Sequence, residues 1–418
     1  MYKNVDHFKI VIGLIVSLFF FPSITFGLLQ AEVFPWGILL STYILMRHKK
    51  INTMYVLVLC AFVLNIIIFS LYNFPDFKIP EVVRSLLAYI NSSLCFVAFY
   101  QASETSTLKT VKLVKTIFIF LLVLGVLQSL GFLKVFDPLF KFLIPRASSA
   151  SLSRFKRGVT LLSTEPARAG VSLVFIYVVV RTVFITKKRA LYDVLFLFFL
   201  VLVIKSIMAL GVFFIFILLT YRMKIVRVIL AGLVILVLID FSGGGGRSLQ
   251  MINKIKSQES FSEASMVVVD LAGPRLISVY SSWLHTMSNP FGGGIGHWEK
   301  TSVDALKMTD IDFSKINYFR FKGNSKPIPI RSSGYISNLV LDTGFFGVTI
   351  FLIFLYSVLK KFWRMGDEAK NIIMLFMFKI LFIGSVGPPD AWIATIIALK
   401  YLYNKEKFQN ENEVEITS

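Results

Sequence analysis

The chain has 418 residues, 56% of them hydrophobic and only 16% charged, where a soluble domain carries roughly 25% charged residues. A soluble globular fold is excluded. The net charge of +20 would raise nucleic acid as a partner of a soluble protein, but here the excess Lys and Arg sit in short loops between apolar runs, so nucleic-acid binding is set aside.

Apolar runs near the ~20 residues of a membrane crossing predict an all-α, polytopic transmembrane bundle of about twelve spans. In chain order they cover 8–29, 33–46, 53–74, 82–102, 116–133, 167–186, 190–204, 206–222, 224–241, 335–358, 371–386 and 389–403. The first run is long and lacks an A-x-A site, so it is read as a retained span and not a signal peptide. Almost nothing separates 190–204 from 206–222, so this pair also reads as a re-entrant hairpin that returns the chain to the side it came from.

Orientation follows from the basic loops RHKK (47–50), LKTVKLVK (108–115), TKKR (186–189), YRMKIVR (221–227) and KKFWR (360–364). With twelve spans all five fall on one side, which the positive-inside rule makes cytoplasmic, together with both termini. The expected organisation is therefore helices one to nine over 1–241, a large extracytoplasmic loop over 242–334, helices ten to twelve over 335–403, and a disordered cytoplasmic tail over 404–418. A second outer segment, 134–166, is itself basic and breaks the charge rule that the other loops obey.

Cys60 and Cys95 lie in separate apolar runs and suggest no disulfide, and the four histidines show no metal-ligand spacing. Neither a metal nor another cofactor is expected. The chemistry-bearing residues fall in three stretches.

RFKRGVTLLSTEPARAG carries Arg154, Arg157, Glu165 and Arg168 at the mouth of a span. Pro166 suits a first helical turn, and Glu165 reads either as a residue complementing the helix dipole or as a base acting on a hydroxyl. Arginine forks hold phosphate oxygens bidentately, and an outer arginine cluster has no topological reason to exist. The second stretch, GPRLISVYSSWLHTMSNPFGGGIGHWEK, places Arg275 on a short amphipathic helix carrying Leu276, Ile277, Tyr280, Trp283, Leu284 and Met287. Asn289-Pro290 breaks that helix before a loop containing Gly294. It reads as a plain turn or as a backbone segment that a ligand approaches closely. The third stretch, IRSSGYISNLVLDTGFFG, has Arg331 at the entrance of a span and Asp342 about two turns inside it, where an acid is costly unless paired or facing water. Lys205, Lys379 and Asp390 are further charges in apolar surroundings, Asp390 in a short outer GPPD turn.

The order of these stretches, Arg-x-x-Arg-Gly…Glu-Pro, then Arg…Asn-Pro-x-x-Gly-x-Gly, then Gly-Tyr-Ile…Asp-x-Gly-x-x-Gly, resembles the Wzy-type O-antigen and exopolysaccharide polymerases, relatives of the O-antigen ligases. The resemblance implies a membrane-embedded, GT-C-like glycosyltransferase of the inner membrane. Its substrates would be undecaprenyl-diphosphate-linked oligosaccharides, joined on the outer face without metal or nucleotide. Further implied partners are membrane lipids and a chain-length regulator protein. Glu165, Arg157 and Arg275 would then be catalytic, with Arg154, Arg168, Asn289, Gly294 and Arg331 binding substrate. Many members carry a His just before the Gly-Tyr, where this chain has Arg331-Ser332-Ser333, so no His-dependent role is implied there. The alternatives are an O-antigen ligase and, in another class, a transporter or flippase. Transporters of twelve spans usually show two similar halves, whereas here the long segment sits outside and late.

Overall fold

The computed structural model describes residues 35–48, 51–72, 78–102, 107–139, 158–185, 187–221 and 274–417. The expected spans 8–29 and 224–241, and the residues Arg154 and Arg157, lie outside them. Among the described residues the fold is all-helical, with no strand. In chain order the helices are α1 (Pro35–His48), α2 (Thr53–Tyr72), α3 (Ile79–Ala102), α4 (Thr107–Ser129), α5 (Pro166–Phe184), α6 (Arg189–Phe199, continued by a π turn over Leu200–Ile204) and α7 (Ile207–Tyr221). They continue as α8 (Pro274–Ser288), α9 (Trp298–Lys307), α10 (Asn317–Lys322), α11 (Tyr335–Trp363), α12 (Asp367–Phe382) and α13 (Asp390–Thr417).

Among the described residues, five helices are long and apolar enough to cross a membrane: Thr53–Tyr72, Ile79–Gln101, Lys109–Ser129, Pro166–Phe184 and Tyr335–Trp363. Gly37–Arg47 and Ile207–Tyr221 are shorter apolar helices. The outer face of α2 exposes Val56, Leu57, Val63, Leu64, Ile67, Ile68 and Leu71, a continuous apolar surface that suits lipid and not water. One expectation is corrected: the tail does not begin as a disordered end after residue 403, because α13 runs on to Thr417. Its polar run NKEKFQNENEVE is rich in good helix formers, which allows the helix to continue where the apolar pattern stops.

The core lies where α3, α5, α11, α12 and α13 meet. Trp392 of α13 is fully buried, with ring centroids 4.9 Å from Phe376, 5.0 Å from Tyr335 and 5.7 Å from Phe96. Polar bonds tie the irregular segment between α12 and α13 into this core. Asn91 Nδ2 donates to Gly387 O at 2.9 Å, Ser92 Oγ to Val386 O at 2.8 Å, and Gly334 N to Gly384 O at 2.8 Å.

Two backbone irregularities shape one end of the bundle. The π turn closes α6 with Lys205 N on Leu200 O at 2.8 Å, and Lys205 adopts a left-handed conformation (φ 51°) that reverses the chain into α7. The 158–165 segment is threaded against this turn. Val159 N donates to Val203 O at 3.2 Å, and Gln128 holds Leu161 twice, with Nε2 on its carbonyl and Oε1 on its amide, both at 3.0 Å. A buried loop must satisfy its backbone groups, and a single amide side chain does so for both groups of one residue.

The second irregularity is a break in α11 at Gly344 (φ 64°, ψ −162°). The break frees the carbonyls of Leu341 and Asp342, which accept from Gly293 N at 2.9 Å and Gly294 N at 2.8 Å. Asn65 completes the junction, its Oδ1 accepting from Ile295 N at 2.9 Å. That backbone geometry is open to glycine and costs another residue on the order of 1–3 kcal/mol. A Cβ on Gly344 would also lie 2.0 Å from Pro290 O. Gly344→Ala is therefore expected to lower the melting temperature of the purified protein by several degrees. Gly211→Ala, in α7 with nothing within 4 Å of its Cβ position, should leave it unchanged or raise it. Equal melting temperatures for the two variants would show that the break is not a structural requirement.

Helix α8 is amphipathic with its polarity inverted. Ser278, Ser281, Ser282, His285 and Thr286 are buried, Thr286 Oγ1 reaching Val340 O at 3.0 Å, while Leu276, Tyr280 and Met287 are exposed. Small polar residues permit close approach to α11, and the apolar stripe points away from the protein. This is the polarity of a helix whose outer side meets hydrocarbon.

Candidate functional site

Several charged side chains meet at a cleft at the end of the bundle where α5 and α13 begin and α12 ends. On α5, Pro166 opens the helix and Glu165 stands at the cap position in extended conformation (φ −148°, ψ 145°). The Glu165 side chain makes no capping hydrogen bond, though its position at the helix start is the one at which an acid complements the helix dipole. Arg168 and Ser172 follow at spacings of three and four residues, which puts all three on one face of α5. Arg168 and Ser172 line the cleft.

From the facing side, Lys379 projects from the last turn of α12, and Asp390 is the first residue of α13. Ser172 Oγ donates to Asp390 Oδ2, while Asp390 Oδ1 is buried with no hydrogen-bond partner. Lys379 is 4% exposed and forms no ion pair within the described residues. Arg168 donates to Thr164 Oγ1 at 3.2 Å and feels the charges of both Arg275 and Asp390. Arg275, exposed at the first turn of α8, places Nη1 3.8 Å from the sulfur of Met208, itself a lining residue. The remaining walls are apolar, including Leu121, Leu161, Ile176 and Ile383.

A contrasting network shows what a self-contained buried ion pair looks like in the same protein. Arg181 Nε meets Asp193 Oδ1 at 2.8 Å, and the same carboxylate accepts from Tyr177 at 2.5 Å and Tyr221 at 2.6 Å. Each of its oxygens has partners, and no group is left for a ligand. In the cleft, Arg168 and Lys379 both lie near the Asp390 carboxylate, and exposed Arg275 adds its charge beside Arg168.

The structure thus brings Arg168 and Arg275 together, with Glu165 one turn away. It adds Lys379, Asp390 and Ser172. Lys379 and Asp390 stand out in the sequence as charges in apolar surroundings, but nothing in the linear pattern says that they face Arg168. Ser172 carries no sequence signal at all. Asn289 and Gly294 lie elsewhere. Asn289 Nδ2 donates to His285 O at 3.3 Å at the end of α8, and Gly294 bonds to Asp342 O on the broken α11. A Cβ on Gly294 would sit 2.5 Å from Phe69 Cβ, so the close approach made here is to α2 and α11. Asp342 is buried and accepts from Tyr89 at 2.7 Å. Arg331 is also apart, 3.5 Å from Ser85 Oγ and with its guanidinium 5.6 Å from the Trp298 ring centre. Outside the spanning segments, burial pushes the pKa of His297 down, which favours the neutral imidazole. Comparison with protein-family models, with curated proteins and with solved structures finds no match.

Proposed function

We propose that the chain is a glycan polymerase of the inner membrane. It transfers a growing oligosaccharide from undecaprenyl diphosphate to a sugar hydroxyl of the next lipid-linked unit on the extracytoplasmic face. The observation that carries this reading is the composition of the cleft: clustered cations on one side, hydrocarbon walls on the other, opening at one end of an apolar bundle. That combination suits an amphiphile with a multiply charged anionic head, and a polyprenyl diphosphate is one. The order of motifs supports the same class. The ordering of twelve crossings with both termini cytoplasmic belongs to this proposal.

In the proposed reaction the acceptor hydroxyl attacks the anomeric carbon of the donor. The bond from that carbon to the diphosphate oxygen breaks, and the electron pair leaves with the diphosphate. Arg168, Lys379 and Arg275 stabilise the departing charge, which preorganised donors do without a metal. The acceptor proton passes to a carboxylate, for which Glu165 stands at the outer edge beside the cations. Asp390, held by Ser172, limits repulsion between Arg168 and Lys379 while no substrate is bound. Arg154 and Arg157 extend the cationic face in this proposal.

The test is reconstitution. Purified protein in liposomes, given lipid-linked repeat units alone, is expected to produce a ladder of lengthened lipid-linked glycans. Transfer only to a different lipid acceptor would indicate a ligase, and movement of units across the bilayer without new glycosidic bonds would indicate a flippase.

A further inference from the structure

The stretch from Phe313 to Lys326 carries four cations, Lys315, Arg320, Lys322 and Lys326, all exposed, and no acid. Asp310 and Asp312 precede it, and Asp312 pairs with Lys315 at 3.6 Å, so the positive charge concentrates at Arg320, Lys322 and Lys326. Phe319 pins the stretch from beneath. It is fully buried in a small apolar core with Ile277, Leu306 and Ile316, and its ring centre lies 4.8 Å from that of Phe313. Its carbonyl accepts from Gly323 N at 2.8 Å and from Ser325 N at 3.1 Å, which closes α10 into a tight turn through Asn324 and Ser325 (φ 49° and 62°). Residues two apart lie on nearly opposite faces of a helix, so Phe321 points away from that core and is 75% exposed. The Arg320 guanidinium lies over it, 4.8 Å from the ring centre, and Lys322 Nζ lies 5.0 Å from the Tyr318 ring centre. The turn presents a bare aromatic ring among cations on a fixed base.

An exposed ring alone needs no explanation, and cations alone suit any anion. Their place in the fold narrows the occupant. Ile277, which shares the core beneath α10, belongs to α8, and the neighbouring Leu276 and Tyr280 are part of that helix's exposed apolar stripe. The turn thus adjoins the surface of α8 that suits hydrocarbon. An anionic bilayer matches both parts of the turn, with acyl carbon for the ring and a negative surface potential for the cations. That attraction follows the summed charge and needs no vacant donor fork. We propose that the 313–326 turn docks on anionic phospholipid at the bilayer surface, with Phe321 inserted at the acyl boundary and Arg320, Lys322 and Lys326 at the level of the phosphates. Docking there holds α9 and α10 against the membrane beside the bundle. The inference goes beyond the polymerase reading and does not depend on it.

The test places a probe where the ring stands. Full-length protein carrying Phe321→Cys and Cys60→Ser is labelled with an NBD fluorophore, since Cys95, the remaining thiol, is buried. The labelled protein is placed in nanodiscs of phosphatidylcholine alone or of an equimolar mixture with phosphatidylglycerol, each containing doxyl-labelled lipid. Quenching by the doxyl lipid is expected to be roughly twofold stronger or more in the phosphatidylglycerol discs. The difference should vanish at about 1 M salt, where the Debye length falls to about 3 Å. It should also vanish when Arg320→Gln, Lys322→Gln and Lys326→Gln are combined, and because all three side chains are exposed the melting temperature should stay unchanged. Equal quenching in the two kinds of disc, or an increment that survives in the triple variant, overturns the assignment to anionic lipid. Quenching by aqueous acrylamide with none by doxyl lipid in either disc places the turn in water, open to a soluble partner, and overturns membrane docking altogether.

Discussion

Arg168→Ala is expected to reduce glycan lengthening in reconstituted liposomes at least 10²-fold, with the protein still folded. Arg168 is the cation that feels both Arg275 and Asp390, and it stands in the middle of the cleft's charged side. Removing one preorganised donor from a developing oxyanion typically costs about 10²–10³-fold in rate. Lys379→Met should behave alike, because a thioether keeps the bulk and apolar stem while removing the ammonium. Arg168→Lys is expected to restore only part of the activity, since a point charge replaces a planar fork. The stability cost should be smaller than that of breaking a satisfied buried pair, because Arg168 also feels the like charge of Arg275 and its loss removes that repulsion. Arg181→Ala supplies the contrast: it strands Asp193 inside a satisfied network, where breaking a buried pair costs about 3–5 kcal/mol. Loss of activity in Arg168→Ala accompanied by an unfolding defect as large as that of Arg181→Ala would make Arg168 a structural residue. Wild-type rates in both Arg168→Ala and Lys379→Met would remove the cleft as the donor site.

The helices were legible because their signal is local. Every expected span that falls within the described residues coincides with a helix, since apolar runs bounded by charges report a property of each segment by itself. The site is non-local, and its legibility divides accordingly. Glu165 and Arg168 share one turn, so sequence spacing joins them. Lys379 and Asp390 come from opposite sides of a GPP turn more than two hundred residues away, and only the packing of α13 on α5 brings Asp390 to Ser172. The glycines of the NPFGGGIG loop illustrate the opposite case. Their spacing announces a close approach, but whether a ligand or another backbone approaches depends on the break at Gly344, a feature of a different segment. The inverted polarity of α8 is also invisible to periodicity, which finds the apolar stripe but cannot tell inside from outside without knowing the solvent.

The two carboxylates of the site are expected to fail in different kinetic parameters. Glu165 stands one turn outward from Arg168 at the helix start, and Gln keeps its size and much of its hydrogen bonding, so Glu165→Gln is expected to stay folded. As the acceptor's base its loss should lower kcat by about 10²–10⁴-fold, because an amide cannot take the proton. KM for the lipid-linked donor should stay within a few-fold of wild type, since no donor contact is lost. Glu165→Asp should keep partial activity if the shorter carboxylate still reaches. Asp390 lies among the cations that hold the donor, and a carboxylate beside a departing diphosphate opposes it. Its part is to position Lys379 and Arg168, through a side chain that Ser172 orients. Asp390→Asn should therefore change donor binding and KM more than kcat, and Ser172→Ala should shift KM in the same direction with a smaller effect. Steady-state kinetics with separate donor and acceptor titrations distinguishes the two. If Asp390→Asn loses kcat by 10²-fold or more while Glu165→Gln turns over normally, the proton passes to Asp390 and Glu165 has no chemical part. If both variants retain wild-type kcat, the transfer runs without a carboxylate base, and the acceptor proton leaves to water after the carbon–oxygen bond to the diphosphate has broken.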